Sequence, residues 1–344
     1  MTETPHKADK PYAMTGDQAL FGSDDPFGAA DGRSPSAGIP PMGKMLSGLD
    51  RKPPRGWRPP LADISWVKRK FLDVPYDNHS KAQCLDIFLP ENGEGPFPAL
   101  VHIHGGGFAV GDKRDDHMNA YLKGLYEGFV VCSVEYRLSG EEHFPAAVLD
   151  VRQAIRFLRM NAASYCIDPG KITAIGGSAG GNLAAMLAMN IPNGDFYLES
   201  GAPAFSVQPY IQAAVDQFGP MDFKKMDQQA RENGVSFVNH DNPSSAESEY
   251  LGVPIPQAGS DLCDKANPAT FVSQAMCPLL IQHGRQDRLV PFQQSEALYQ
   301  QIVERVGRGK AVFIPFDTAD HEDRQFFSDL NLALIWRFLK ENLV

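Results

Sequence analysis

The chain has 344 residues, enough for two domains or one large α/β domain, and its 43% hydrophobic and 22% charged residues are the balance of a soluble globular protein. Thirty-two Lys and Arg against 42 Asp and Glu leave a net charge of −10, which argues against nucleic acid or an anionic membrane as partner. No apolar run approaches the ~20 residues of a membrane span, and no basic start is followed by an apolar stretch, so a soluble, cytoplasmic protein is expected.

Ten of the 27 prolines fall in residues 1–60, mixed with Gly, Asp and Ser. Each fixes φ and removes a donor, so this Pro/Gly-rich N-terminal arm carries no long regular element. Two readings stay open for it. It is either a solvated tail, or an arm that roofs the domain with Leu20, Phe21, Phe27, Met42, Met45, Leu46 and Trp57. From residue 61 to 344 a single catalytic domain is expected. Residues 67–72 and 84–89 read as an antiparallel opening pair. Apolar, β-branched runs follow at 99–103, 129–134, 172–175, 211–215, 279–281 and 311–316, alternating with helical stretches at 119–127, 146–161, 182–189, 293–306 and 322–343. Continuous apolar strands suit a sheet covered on both faces, and the alternation predicts an α/β fold with a mostly parallel sheet flanked by helices. Residues 222–275 break the rhythm with polar, Pro-containing sequence, an insertion that reads as a solvated excursion or part of a lid. The five cysteines (Cys84, Cys132, Cys166, Cys263, Cys277) form an odd set with no C-x-x-C pair and read as scattered small hydrophobes.

Chemistry concentrates first at Gly176-Gly177-Ser178-Ala179-Gly180-Gly181, where an apolar strand meets an Ala-rich helix through G-x-S-x-G. A nucleophilic serine at such a turn is strained, and the glycines keep side chains clear of it. A phosphate-binding G-x-G-x-x-G turn would need glycine at 178. The second concentration is His102-Ile103-His104-Gly105-Gly106-Gly107-Phe108 after strand 99–103. Its glycines let backbone amides point into a cleft, and one such donor to an oxyanion contributes about 2.7–4 kcal/mol. His102 and His104, two apart on a strand, would share a face near Asp112, Asp115, Asp116 and His117, but no metal-ligand spacing is recognisable there and no metal is expected.

The order serine, acid, histidine selects the remaining partners. His321 follows the loop 284–291, whose Asp287 lies past the apolar strand 278–281; Asp317 and Asp320 are the rival acids, and His283 reads as structural. Asp320, Glu322 and Asp323 flank His321, and their charge is expected to raise its pKa.

With these residues in place, the sequence resembles α/β-hydrolases of the hormone-sensitive-lipase-like esterase group. The motifs are Gly105-Gly106-Gly107, Val134-Glu135-Tyr136-Arg137-Leu138, Phe144-Pro145-Ala146-Ala147 and Gly177-Ser178-Ala179-Gly180-Gly181-Asn182. Gly177 before the serine, Gln217-Phe218-Gly219-Pro220-Met221-Asp222, and His283-Gly284 with Asp287 and Val290-Pro291 are similar to the bifunctional feruloyl/acetyl-xylan esterase-like members. The resemblance covers about residues 64–342. It implies Ser178, Asp287 and His321 as a triad, the N–H groups of Gly106, Gly107 and Ala179 as an oxyanion hole, and no cofactor. One departure is Asp320-His321-Glu322-Asp323, where related enzymes usually place a glycine beside the histidine. The expected function is hydrolysis of short-acyl or aryl carboxylic esters, including acetyl or feruloyl esters of plant carbohydrates. The expected partner is a small-molecule ester, with a second copy of the chain allowed. Phe108, Phe144 and Phe218 flank the motifs and are candidates to line the substrate pocket. The rival readings are an arylformamidase-like amide hydrolase and a non-catalytic small-molecule-binding protein of the same fold.

Overall fold

Eight strands form one sheet among the described residues, 59–192 and 207–343, of this computed structural model. They are β1 (Lys70–Pro75), β2 (Cys84–Phe88), β3 (Phe97–Ile103), β4 (Val130–Val134), β5 (Ile167–Gly177), β6 (Ala213–Gln217), β7 (Leu279–Gly284) and β8 (Ala311–Phe316). Their order is β1-β2-β4-β3-β5-β6-β7-β8; β2 pairs antiparallel with β1 and β4, and every later pairing is parallel. This is the mostly parallel α/β-hydrolase sheet that the sequence predicts. The expectation for the N-terminal arm falls outside the described residues except at Pro59 and Pro60.

The apolar runs of the inner strands are continuous because these strands feed two cores. Ala99, Val101 and Ile103 of β3 pack into one face, and Leu100 between them packs into the other. Leu279 and Ile281 of β7 divide from Leu280 in the same way. Successive side chains on a strand point to opposite faces, so helices on both sides leave no position for a polar alternation. The first face is covered by α2 (Ala146–Met160), which presents Ala147, Val148, Val151, Ala154, Ile155 and Leu158 at helical spacing, and by α3 (Ala179–Ala188). The second is covered by α1 (Met118–Tyr121) and α8 (Asp329–Glu341), through Tyr121, Leu332, Ile335, Trp336 and Leu339. Each such fully buried large side chain contributes about 1.5–3 kcal/mol relative to exposure.

Several boundaries differ from expectation for local reasons. The opening strand begins at Lys70, not at residue 67, because the Val67 amide closes a turn on Ile64 O at 3.3 Å. β6 begins two residues late because the Asn190 side chain takes the Ile211 amide at 2.9 Å, out of the ladder. The predicted helix 119–127 resolves into α1 and the 3₁₀ turn Leu122–Leu125. The predicted helix 322–343 is divided by caps. Asp323 accepts from the Gln325 amide and opens the 3₁₀ turn Arg324–Phe327, and Ser328 accepts from the Asn331 amide to start α8. Ser and Asp at such positions satisfy otherwise orphaned helix-start donors. α3 starts at Ala179, three residues before the predicted start, because Gly180 and Gly181 lower the local propensity that a sequence reading sums.

The segment 222–275 carries α4 (Phe223–Glu232), α5 (Ala246–Leu251), α6 (Ser260–Ala266) and two 3₁₀ turns. It buries Phe223, Met226, Tyr250, Leu251, Ile255 and Ala266 in the first core, and part of its polar composition, including Asp227 and His240, is buried as well. The remaining helix, α7 (Gln293–Val306), has the predicted bounds. Among the described residues no helix is long and apolar enough to cross a membrane.

Candidate active site

The strand order reverses about β3: the chain goes from β3 to β4 on one side and returns with β5 on the other. In open α/β sheets the crevice at such a reversal, beyond the carboxyl ends of the strands, is where ligands bind. The glycine loop follows β3 and Ser178 follows β5, so topology alone brings the two motifs together.

Ser178 has φ 56 and ψ −124, outside both helix and strand, and stands between the last residue of β5 and the first of α3. Its amide is held by Gln217 O at 2.9 Å. The glycines permit the turn by close approach: a Cβ on Gly176 would come within 2.2 Å of Gly180 O, and one on Gly180 within 2.1 Å of Ile103 O. The Ser178 hydroxyl donates to His321 Nε2 at 3.1 Å, and His321 Nδ1 donates to Asp287 Oδ2 at 2.7 Å. Asp287 is 3% exposed, and its Oδ1 accepts from the amides of Leu289 at 2.9 Å and Val290 at 2.8 Å. The three residues selected by order in the sequence therefore meet in space.

The rival acids point elsewhere. Asp317 accepts from Arg285 Nε at 3.1 Å. Asp320 accepts from the Arg288 amide and side chain and from the His321 amide.

Burial would lift the Asp287 carboxyl, but His321 and His283 beside it hold its pKa well below the ordinary carboxylate range. For His321 burial favours the neutral ring, yet Asp287, and after it Glu322 and Asp320, carry its pKa above the usual histidine value. Asp323 is occupied as a helix cap, so the expectation that all three flanking carboxylates act on His321 holds for two of them.

Beside the serine, a Cβ on Gly105 would lie 3.4 Å from Ser178 Cβ, which fixes how closely the loop approaches. Gly106 has φ 110, a conformation that requires glycine. Within the described residues the amides of Gly106, Gly107 and Ala179 donate no backbone hydrogen bond. The loop is braced from β4 and the turn beyond it. His104 Nδ1 donates to Gly105 O at 2.8 Å, its Nε2 lies 3.0 Å from Glu135 Oε1, and the Tyr136 hydroxyl donates to His104 O at 3.0 Å. Burial disfavours the His104 cation, and Glu135 more than offsets this, so its pKa is raised.

His102 and His104, two apart in the chain, reach partners that are two apart as well: His102 Nδ1 lies 3.0 Å from Ser133 Oγ, and His104 Nε2 lies 3.0 Å from Glu135 Oε1, one residue beyond β4. Among the described residues no group of three or more His, Cys, Asp or Glu is placed to hold a metal. All five cysteines are free, and burial pushes the thiols of Cys132 and Cys277 up, the latter to about 12.

Of the three pocket candidates, Phe218 touches the site: its ring meets His321 edge-on with centroids 4.8 Å apart. Phe108 stacks on Tyr250 at 3.8 Å and Phe144 meets the same ring edge-on at 5.5 Å, so both are packed against the 222–275 segment rather than open to a cleft. A small cavity of about 10 Å³ is lined by Gly105, His117, Tyr121, Gly177, Phe218 and Glu322, with His102 and Phe327.

The family described as BD-FAE matches residues 85–302, more than half of the chain. The chain belongs to the BD-FAE family. Among curated proteins this BD-FAE member is similar to Esterase LipQ of Mycobacterium tuberculosis, 29% identical over 251 residues, 72% of this chain and 56% of that protein. It is also similar to the probable carboxylic ester hydrolase LipM of the same organism, 27% identical over 257 residues, 72% of this chain and 55% of that protein. The chain thus spans about half the length of the curated relatives it matches. Among solved structures, a truncated carbohydrate esterase from gut microbiota superposes with a TM-score of 0.70 at 28% identity, covering 82% of this chain and 99% of that one.

Proposed function

We propose that this BD-FAE member is a serine carboxylic ester hydrolase that works through an acyl-enzyme on short-acyl or aryl esters, among them acetyl or feruloyl esters of carbohydrates. The observation that carries the reading is the chain Ser178–His321–Asp287, at 3.1 and 2.7 Å. His321 takes the Ser178 proton as Oγ attacks the ester carbonyl, and Asp287 holds the tautomer and favours the imidazolium. The developing oxyanion is met by the Gly106, Gly107 and Ala179 amides at the start of α3. His321 returns its proton to the departing alkoxide, and water then attacks the acyl group by the same route. The names of the relatives support ester hydrolysis, and the carbohydrate esterase neighbour supports a sugar ester among the substrates.

The test is Ser178→Ala, which should fold normally and lose roughly 10⁴-fold or more in kcat, and should not take a fluorophosphonate label. The wild-type panel is p-nitrophenyl acetate, methyl ferulate and acetylated xylo-oligosaccharides. Retention of more than a few per cent of kcat in the variant would move the nucleophile elsewhere.

A further inference from the structure

Asp287 has two imidazole neighbours. His283, the fifth residue of β7, is fully buried. Its Nε2 lies 2.9 Å from Val290 O and 3.2 Å from Asp287 Oδ2, the same oxygen that receives His321 Nδ1. Its Nδ1 lies 2.7 Å from Ser295 Oγ in the first turn of α7. A carbonyl oxygen only accepts, so Nε2 must carry a proton, and that N–H is shared between Val290 O and the carboxylate. The Ser295 hydroxyl on the other nitrogen fixes the rotation of the ring. The contacts form one continuous line: Ser295, His283, Asp287, His321, Ser178.

We propose that His283 is a positioning residue for this reaction: its Nε2–H, oriented by Ser295, fixes where Asp287 Oδ2 points and limits the negative charge it presents to His321. The proposal rests on the serine hydrolase reading above. The two backbone amides on Oδ1 fix one carboxylate oxygen, and a carboxylate can still swing about that anchor. A second donor on Oδ2, opposite His321, removes the swing. It also draws electron density from the oxygen that stabilises the imidazolium, which tempers the basicity of His321.

The electrostatic surroundings are defined. Facing His321 are Asp287 from the β7 loop, Glu322 and Asp320 on its own loop, and His117 ahead of α1; facing Asp287 are the two histidines and Arg288. Arg288 is committed to Asp320, so a change at His283 leaves that ion pair in place.

The experiment compares His283→Leu, His283→Gln and Ser295→Ala with wild type on p-nitrophenyl acetate, with Ser178→Ala as the control for the reading beneath. Leucine fills the volume and removes the N–H. kcat should fall about tenfold with KM within about twofold, since misplacing one catalytic group acts on the reaction step. The acidic limb of kcat/KM should move to higher pH, because an Asp287 without its second donor favours the imidazolium more. Glutamine restores an N–H donor and should recover most of both effects. Ser295→Ala should shift the limb in the same direction by a smaller step. A purely structural role would lower the unfolding temperature of all three and leave the limb in place, and that result overturns the proposal. If leucine prevents folding, imidazole ¹⁵N–¹H spectra of the wild-type protein decide: a proton on His283 Nε2 at neutral pH supports the assignment, and one on Nδ1 alone overturns it. A failed Ser178→Ala control would sink the underlying reading instead, so the two failures are distinguishable.

Discussion

Glu322 stands at φ 57, in the left-handed region that costs a residue with a Cβ about 1–2 kcal/mol. Strain of this size beside a catalytic group calls for a reason. The carboxylate lies next to His321, where it helps raise the pKa of the ring. A general base must be neutral to accept the Ser178 proton, so each such charge carries the acidic limb of kcat/KM to higher pH. Glu322→Gln, which keeps the shape and removes the charge, should move that limb to lower pH, by more at low ionic strength. Glu322→Gly should move it similarly. Glycine relieves the left-handed strain but gives back about 0.5–1 kcal/mol in chain entropy, so the unfolding free energy should stay within about 1 kcal/mol of wild type. Asp323→Asn serves as the comparison, because Asp323 is turned to the Gln325 amide. Its limb should not move, and a shift as large as that of Glu322→Gln would show that the effect is general surface charge.

At the scale of elements, the 222–275 segment is tied to the acid loop by His240, a buried histidine that is ion-paired within the segment and hydrogen-bonded to the loop. His240 donates through Nδ1 to Asp227 of α4 at 2.9 Å, and through Nε2 to Leu289 O at 2.9 Å. Both ring nitrogens face acceptors, so the ring is a cation. Burial opposes that charge, but Glu247 and Asp227 outweigh it and push the pKa up to about 9. A histidine raised above its unfolded value of ~6.5 contributes stability that is fully present below that value and is lost as pH rises through the folded one. The unfolding temperature of wild type should therefore decline between about pH 7 and pH 10, steepest between the unfolded and folded pKa values and levelling off above about pH 9. His240→Gln should start lower at pH 7 and lose less over the same range. Parallel curves for the two proteins would mean that His240 carries no such charge.

This clamp also marks the limit of what the sequence discloses. Apolar runs located the inner strands because both faces of the sheet are covered there, and α7 and β8 have the bounds that their patterns predict. Ser178, Asp287 and His321 could be chosen because strand–turn–helix context and chain order constrain them. The bracing residues could not. His104 meets Glu135 across 31 positions, and His240 meets Leu289 across 49. Each looks on paper like any polar residue near a loop. Only burial shows that its nitrogens must be satisfied, and burial is a property of the packed chain. The one available cue for His283 and Glu135 is that they sit inside motifs whose neighbours were already singled out.

For the molecule as a whole, the position of the 222–275 segment bears on what the site can accept. A methyl group on Gly107 would come within 2.9 Å of Ala246 Cβ, so α5 lies directly against the glycine loop. Tyr250 of the same helix is 1% exposed and stacks on Phe108, which follows that loop. Swinging this segment aside would uncover Tyr250, Phe223, Met226 and Leu251, each worth about 1.5–3 kcal/mol of burial. Such a sum exceeds what a freely opening lid could lose without help from an oil surface. None of its helices offers the Leu- and Phe-rich apolar face that would recover the loss at such a surface. Small acyl groups are therefore the expected substrates. kcat/KM should be highest from p-nitrophenyl acetate to butyrate and fall through octanoate to laurate. The rate on tributyrin should climb smoothly through its solubility limit, with no jump where droplets appear. A steady rise towards laurate, or a sharp gain at the emulsion, would mean that the segment opens as a lid and that its buried aromatic face belongs to the bound substrate.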